Sequence, residues 1–286
     1  MYSGFGGTIC PGRSLSSAIV GLVPQIDLDG RRLAFERVGE GSPLLFLNGS
    51  GSSIERSRLL WESFGSVADV VAHDYRGIGA SDRGETPTMH GFATDALALA
   101  DNLAWSTFDV VGVSFGGMVA LELACSAPDR VRRLVLMCTS AGGPLGSSFP
   151  LHELLDVAID EKRRRMPLLT DTRFTPDYLS ERPALRSLIE QSIEDRPVTA
   201  GDREQMAARR LHDVSSRLGG VTAQTLVMSG IHDGIAPVAN GRNIAGAIDG
   251  SMFREYEGGH MFFVQDSRAL DDAKRFLVGG PATLEG

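Results

Sequence analysis

The sequence predicts an α/β protein in which helices cover both faces of a mostly parallel, twisted sheet. Short apolar, β-branched segments alternate with longer segments that have the apolar spacing of helices, and glycine-rich polar loops follow several of the predicted strands. This alternation is typical of crossover units, which join parallel strands. The chain has 286 residues, of which 42% are hydrophobic and 22% charged, so it can bury one sizeable core.

The predicted elements follow one another in a regular order. Asp29-Gly30 separates two strand-like segments, 26–28 and 32–38, which is a strong hairpin signal. Four more strands alternate with helices up to residue 137: the strands are 44–47, 69–72, 108–113 and 131–137, and the helices are 59–64, 92–103 and a segment after residue 114. The pattern resumes late in the chain with strands 225–228 and 252–256 and helices 238–247 and 262–277.

The segment between these two parts, residues 145–218, has little strand character. Five prolines divide it into short helical stretches. A helical segment between two strands of one sheet indicates a cap over the edge of that sheet, inserted after the sixth strand. We therefore predict a core of residues 25–144 and 219–286, a helical cap of residues 145–218, and a flexible or loosely docked N-terminal extension of residues 1–24.

Charge and composition narrow the classes of partner. The net charge of −8 leaves no dominant basic surface, and the cationic run 162–165 follows acidic residues as on a solvated helix face, so we expect no nucleic acid partner. The spacing of the three cysteines, Cys10, Cys125 and Cys138, does not indicate disulfides. No apolar run is long enough to cross a bilayer, and the N-terminal residues do not resemble a signal peptide. We expect a cytoplasmic protein without a membrane partner, and a homodimer is left open.

The stretch Gly112-Val113-Ser114-Phe115-Gly116 changes from strand to helix in about one residue. Ligands of open parallel sheets bind beyond the carboxyl ends of the strands. The two glycines remove Cβ atoms that would clash at so tight a turn, and the serine then sits in strained geometry with its hydroxyl in the cleft. We expect Ser114 to be a nucleophile and the amide of Phe115, at a helix start, to stabilise an oxyanion.

This stretch resembles the nucleophile elbow of the α/β-hydrolase fold family, and the resemblance extends from about residue 25 to the C-terminus. It implies the chain order serine, acid, histidine. The base is then His260, which directly follows the last strand, whereas His152 and His212 lie in the predicted cap. The acid is then Asp233, in a loop similar to the family's G-x-x-D-x-x-x-P. An ordinary loop histidine and an Asx-turn aspartate are the alternatives.

The second oxyanion donor should come from the loop Asn48-Gly49-Ser50-Gly51, after the third strand. Many members of the family carry His-Gly here. We expect Asn48 to make some of the loop-stabilising hydrogen bonds of that histidine, and we assign the donor to the amide of Ser50. No pair of histidines or cysteines has metal-ligand spacing, so we expect neither a metal nor a cofactor.

The resemblance implies a serine hydrolase that cleaves a small carboxylic ester or lactone through an acyl-enzyme. A C–C bond hydrolase, a cofactor-free perhydrolase and a non-enzymatic small-molecule receptor that keeps the triad are the alternatives. An aspartate stands at the elbow of haloalkane dehalogenases and epoxide hydrolases, so Ser114 argues against both. Five apolar residues of the cap are candidates for the wall of the substrate pocket, and the alternative is that they only pack the cap onto the core: Phe149, Leu154, Leu155, Leu168 and Phe174.

Overall fold

The computed structural model describes residues 23–85, 87–193 and 195–280, so the predicted extension of residues 1–24 lies almost wholly outside the described residues. The described residues form one eight-stranded sheet. Its strands are β1 Gln25–Leu28, β2 Arg31–Val38, β3 Pro43–Leu47, β4 Asp69–His73, β5 Phe108–Val113, β6 Val131–Met137, β7 Gln224–Gly230 and β8 Met252–Tyr256.

The spatial order of the strands is β1-β2-β4-β3-β5-β6-β7-β8. The pairs β1–β2 and β2–β4 are antiparallel, and all later pairs are parallel. The predicted hairpin joins β1 to β2 through Asp29 and Gly30, which have φ values of 54° and 83°. The mostly parallel sheet is thus confirmed, and the carboxyl ends of β3, β5, β7 and β8 lie at the same edge.

Helices cover both faces of the sheet, as predicted. The core helices are α1 Arg58–Glu62, α2 Met89–Asn102, α3 Phe115–Ser126, α8 Val238–Ala247, α9 Phe262–Gln265 and α10 Arg268–Leu277. Successive residues of β5 point to opposite faces: Val110 packs with α2, α3 and α8, whereas Val111 packs with α1, α9 and α10. The central strands are therefore packed between two apolar layers, one on each face of the sheet.

The predicted helix over 262–277 is wrong in one respect, because it breaks into α9 and α10. Asp266 has extended backbone geometry at the break. Its carboxylate accepts hydrogen bonds from the backbone N–H groups of Arg268 and Glu257, at 3.1 and 3.3 Å. The contact to Glu257 joins the break to the loop that carries His260.

Residues 145–218, which we call the insertion, lie between β6 and β7 and contain four helices: α4 Ile159–Thr170, α5 Pro176–Ser180, α6 Pro183–Ser192 and α7 Ala200–Arg210. The helical segment after the sixth strand is therefore confirmed, and its separation as a domain stays a prediction. None of the helices in the three described ranges is both long and apolar enough to cross a bilayer.

Candidate active site

Ser114 occupies the single position between β5 and α3 and has φ 55° and ψ −112°, a conformation that costs free energy for any residue with a Cβ. The glycines around it allow the close approach. A Cβ on Gly112 would lie 2.5 Å from the Gly116 carbonyl oxygen, and a Cβ on Gly116 would lie 2.0 Å from the carbonyl oxygen of Leu47. The strained turn is thus held by backbone packing against the end of β3.

The three residues proposed for the triad lie in one hydrogen-bonded line. The Ser114 Oγ is 2.9 Å from His260 Nε2, and His260 Nδ1 is 2.8 Å from Asp233 Oδ2. An ionised carboxylate only accepts hydrogen bonds, so Nδ1 carries the proton and Nε2 is free to accept from the serine hydroxyl. Three separate strand ends deliver these groups: Ser114 follows β5, Asp233 follows β7 and His260 follows β8.

The Asp233 carboxylate is held by its own loop as well as by the histidine. Its Oδ1 accepts hydrogen bonds from the backbone N–H groups of Ile235 and Ala236, both at 2.8 Å. The Asx turn and the contact to His260 therefore occur together, since each oxygen of the carboxylate makes one of them. The side chain of Asp233 is fully buried, so the backbone donors keep the carboxylate in place without competing water.

The end of α4 in the insertion also fixes both loops, which the sequence did not indicate. The His260 N–H donates to the Thr170 carbonyl oxygen at 2.6 Å, and the Gly234 N–H donates to the Leu169 carbonyl oxygen at 3.0 Å. A Cβ on Gly259 would lie 2.0 Å from the same Thr170 oxygen. These are backbone contacts, which any residue type could make, so sequence patterns carry no signal for them.

The loop after β3 lies directly against the nucleophile. A Cβ on Gly49 would be 3.9 Å from the Ser114 Cβ. Three hydrogen bonds hold the loop. Tyr75 Oη donates to the Asn48 carbonyl oxygen at 3.2 Å, and the Ile54 N–H donates to the Asp74 carboxylate at 2.7 Å. The Gly51 N–H donates to the side chain of Gln205, in α7, at 2.8 Å. The assigned oxyanion residues, Ser50 and Phe115, thus both lie beside Ser114.

The expected role of Asn48 is wrong for its side chain. The side chain is buried, and neither its Oδ1 nor its Nδ2 has a hydrogen-bond partner among the residues that the structure describes. Its short amide does not reach the polar groups of the neighbouring loops, and Tyr75, Asp74 and Gln205 hold the loop instead. Asn48 lines the cavity beside Ser114, but both polar atoms of its side chain are buried.

A cavity of about 480 Å³ opens over Ser114 and His260, and its lining is mainly apolar. Loop and helix residues of the core, including Leu60 and Phe263, form most of the wall, and the insertion contributes Leu151 and Met166. A smaller chamber of about 230 Å³ adjoins it and shares Ser50, Leu151 and Met166 in its lining. This chamber also carries the polar side chains of Lys162, Arg196, Asp202 and Gln205.

The predicted pocket wall is only partly correct. Leu154 and Leu155 line the smaller chamber, but Phe149, Leu168 and Phe174 are not among the described residues that line either space. Each has another environment: the Arg165 guanidinium lies over the Phe149 ring, Leu168 is 46% exposed, and Phe174 stacks on Tyr178. Apolar character alone did not identify the faces of these short helices.

Two observations bear on other chemistry at the site. Cys138 is buried near the acid, and both burial and the Asp233 charge raise the pKa of its thiol well above the ordinary value. It therefore stays protonated and is a poor nucleophile. Across the residues for which the structure gives positions, no group of three or more histidine, cysteine or acidic side chains is arranged to hold a metal ion.

A turn that presents a serine, joined to a histidine and an aspartate from later strand ends, is an arrangement typical of one large class of enzymes. Residues 42–267 match the family described as the alpha/beta hydrolase fold. The chain belongs to this family.

Similar proteins include several hydrolases. The chain is 30% identical over 228 residues to 2-hydroxymuconate semialdehyde hydrolase of Pseudomonas sp. strain CF600, covering 76% of this chain and 79% of that protein. A crystal structure of a hydrolase from Pseudomonas aeruginosa PA01 is similar with a TM-score of 0.75 and 26% identity, over 91% of this chain and all of the other. The enol-lactonase from Burkholderia xenovorans LB400 is similar with a TM-score of 0.70 and 25% identity, over 90% and 98% of the two chains.

Proposed function

We propose that the protein is a serine hydrolase that cleaves a small carboxylic ester or lactone through an acyl-enzyme. The observation that carries this proposal is the line from Ser114 Oγ to His260 Nε2 to Asp233 Oδ2, with distances of 2.9 and 2.8 Å. A serine hydroxyl is a weak nucleophile at neutral pH, and a hydrogen-bonded imidazole oriented by a buried carboxylate is what activates it.

The first half of the reaction forms the acyl-enzyme. Ser114 Oγ attacks the substrate carbonyl carbon while its proton passes to His260 Nε2, and Asp233 stabilises the resulting imidazolium through Nδ1. The negative charge on the carbonyl oxygen is stabilised by the backbone N–H groups of Ser50 and Phe115. His260 then gives the proton to the leaving alkoxide, which departs as an alcohol or, for a lactone, stays attached at the far end of the acyl chain.

The second half reverses these roles with water. His260 Nε2 takes a proton from water, the hydroxide equivalent attacks the acyl carbon, and the proton returns to Ser114 as the carboxylic acid leaves. The mainly apolar lining of the 480 Å³ cavity supports a small acyl group or ring as the substrate.

C–C bond hydrolysis is the second candidate, and a specific observation favours it. The relative that is 30% identical is named as a hydrolase of a semialdehyde, a compound that by its name is neither an ester nor a lactone. The same three residues could serve such a reaction, with His260 moving the proton. We place it second because the enol-lactonase is similar over 90% of the chain and the mechanism above needs nothing beyond the observed line.

We also propose that the protein is cytoplasmic and that its partner is a small-molecule substrate rather than a nucleic acid or a membrane. The net charge of −8 and the free thiols of Cys125 and Cys138 support this.

The test combines turnover with covalent labelling. Wild-type protein should hydrolyse p-nitrophenyl acetate and a simple lactone, and Ser114→Ala should lower kcat/KM by about 10³-fold or more, since only binding and the oxyanion donors remain. A fluorophosphonate should add its mass to the wild type and not to Ser114→Ala. Ser126→Ala, at the other end of α3, is the matched control and should behave like the wild type.

The same assays distinguish the alternatives. If 2-hydroxymuconate semialdehyde is turned over with a kcat/KM about 100-fold above every ester and lactone, the second candidate is correct. If the fluorophosphonate does not label Ser114 and no substrate is turned over, the protein is not a serine hydrolase, and binding without turnover would favour a receptor.

A further inference from the structure

A third cavity lies where the insertion leaves the core and returns to it. It has a volume of about 150 Å³. Ser140, Ser148 and His152, on the segment that leaves β6, line one side, and Arg209 and His212, at the end of α7, line the other. No described residue lines both this cavity and the one over Ser114, and the proposed reaction uses none of its side chains.

Arg209 is a buried cation that lacks an anionic partner. The residue is 7% exposed. Its Nη1 donates to the Phe149 carbonyl oxygen at 2.8 Å, whereas its Nη2 has no hydrogen-bond partner, and Arg209 forms no ion pair within the described part of the chain. Burial lowers the pKa of its guanidinium to about 10, so it is still charged at neutral pH. A buried charge without a partner is costly, and a bound anion would remove that cost.

His212 adds a second buried donor. The residue is 8% exposed, and neither ring nitrogen makes a hydrogen bond to any described residue, although the ring lies close to the Ser140 backbone. Burial lowers the pKa of the imidazole to about 4. A neutral ring still carries one N–H, which can donate to an oxygen of a ligand.

Three serines also line the cavity, and two of them contact each other. Ser140 Oγ and Ser148 Oγ are 3.1 Å apart, so only one hydroxyl hydrogen is used between them and the other can donate to a ligand. The described lining residues also include Arg210 and no aspartate or glutamate. A guanidinium, an imidazole N–H and a hydroxyl around a small space suit an oxyanion, because several donors converge there and the described lining has no carboxylate to compete for them.

We propose that this cavity binds a small oxyanion, of which inorganic phosphate is the first to be tested, and that the anion joins the two ends of the insertion. The segment that leaves β6 supplies the hydroxyls, and the end of α7 supplies Arg209 and His212. An anion that contacts both sides links the start of the insertion to its return, and so stabilises the insertion on the core.

The experiment is a phosphate titration of the full chain at constant ionic strength, with chloride as the replaced salt. The Tm should rise with phosphate, in proportion to the logarithm of its concentration above the Kd, and calorimetry should show saturable binding and give the Kd. Arg209→Met keeps the bulk and removes the charge, and should weaken phosphate binding by at least about tenfold. Its Tm in chloride reflects two opposing changes, the loss of the hydrogen bond to the Phe149 carbonyl oxygen and the removal of a buried charge without an anionic partner in the described residues, so the phosphate-dependent change in Tm and the Kd are the readouts. Arg203→Met is the control: it removes a charge from the same helix, but an exposed one paired with Asp156.

Several results would overturn the proposal. A Tm that responds to phosphate and to acetate no more than to chloride excludes an oxyanion site, and so does a phosphate Kd that is the same in Arg209→Met and the wild type. A rise in Tm with acetate that exceeds the effect of chloride and is lost in Arg209→Met would support the site with a carboxylate as its ligand. If Arg209→Met does not fold, Ser148→Ala should still weaken phosphate binding, by about threefold, and an unchanged Kd there also overturns it.

Discussion

The helix that follows the nucleophile and the helices of the insertion differ sharply in burial. Ten of the twelve residues of α3 are buried, whereas none of the ten residues of α6, all of which are described, is buried. Side chains in α3 are therefore packed on most faces of the helix, whereas those in α6 are at most half-buried. The contrast indicates that the packed region determines the catalytic geometry and the loosely packed region can vary with substrate.

The insertion is not uniform, however, because the end of α4 belongs with the packed region. Leu169 and Thr170 accept hydrogen bonds from the loops that carry Asp233 and His260, and Asp171 is fully buried just beyond them. Asp171 accepts from Arg173 and from Gln265 of α9, at 2.7 to 2.9 Å. The insertion therefore contains a tightly packed part, at the end of α4, and a loosely packed part, in α6.

The largest effect is expected where the turn is packed most tightly. Gly116→Ala would place a Cβ 2.0 Å from the Leu47 carbonyl oxygen, whereas Gly246→Ala meets nothing within 4 Å and lies in α8. We expect Gly116→Ala to lower the free energy of unfolding by more than about 3 kcal/mol and to abolish activity. Gly246→Ala should raise it by up to about 1 kcal/mol. Urea unfolding of both variants is the measurement, and equal stabilities would contradict the role of packing at the elbow.

Acid should destabilise the packed region through a buried histidine. Burial lowers the pKa of His73, at the end of β4, from 6.5 to about 4, against the opposing charge of Asp95. The unfolded chain therefore binds this proton more readily between those two values, so the free energy of unfolding should fall as the pH falls through that window, by about 3 kcal/mol from this group. His212 should act in the same direction.

His73→Leu should remove its share of this acid sensitivity, since neither ring nitrogen of His73 has a hydrogen-bond partner to lose among the residues described. Urea unfolding at about pH 7 and pH 4.5 measures it. His90→Leu, at an exposed side chain, is the control and should keep the wild-type dependence. Identical slopes in the two variants would show that His73 is not the titrating group.

The end of α4 should affect kcat rather than substrate binding. In Asp171→Asn the loss of charge weakens the contacts to Arg173 and Gln265, which loosens the neighbouring Thr170 contact to His260. We expect kcat for p-nitrophenyl acetate to fall by about tenfold with KM nearly unchanged. Asp177→Asn, on exposed α5, should leave both constants as they are. A change in KM alone would place Asp171 with the substrate-selecting part of the insertion.

The smallest effect is expected at the cavity wall. Met166→Ala enlarges the space shared by the two chambers, and should raise kcat/KM for p-nitrophenyl octanoate relative to the acetate by about fivefold. Leu188→Ala is the control, because that leucine is 65% exposed on α6. An unchanged chain-length preference in Met166→Ala would mean that core residues alone select the acyl group.

The sequence by itself determined the order of strands and helices and the sharp turn at Ser114, and the family resemblance that this turn carries implied the two partners that the structure brings to it. These features depend on local periodicity, on glycines at set spacings and on residues that directly follow predicted strands. In a parallel sheet the strand ends share one edge, so positions far apart in sequence, such as 114, 233 and 260, converge without any knowledge of side-chain packing.

Only the tertiary structure decided which groups hold Ser114, His260 and Asp233 in place and which surfaces surround them. The carbonyl of Thr170 is common to every residue type. Among the described residues, the Asn48 amide lacks a hydrogen-bond partner and Arg209 lacks an anionic one, and both absences depend on where the other polar groups of the fold lie. The break at Asp266 likewise follows from its contact to Glu257. Backbone contacts and missing partners are properties of the packed chain, and a residue's type does not encode them.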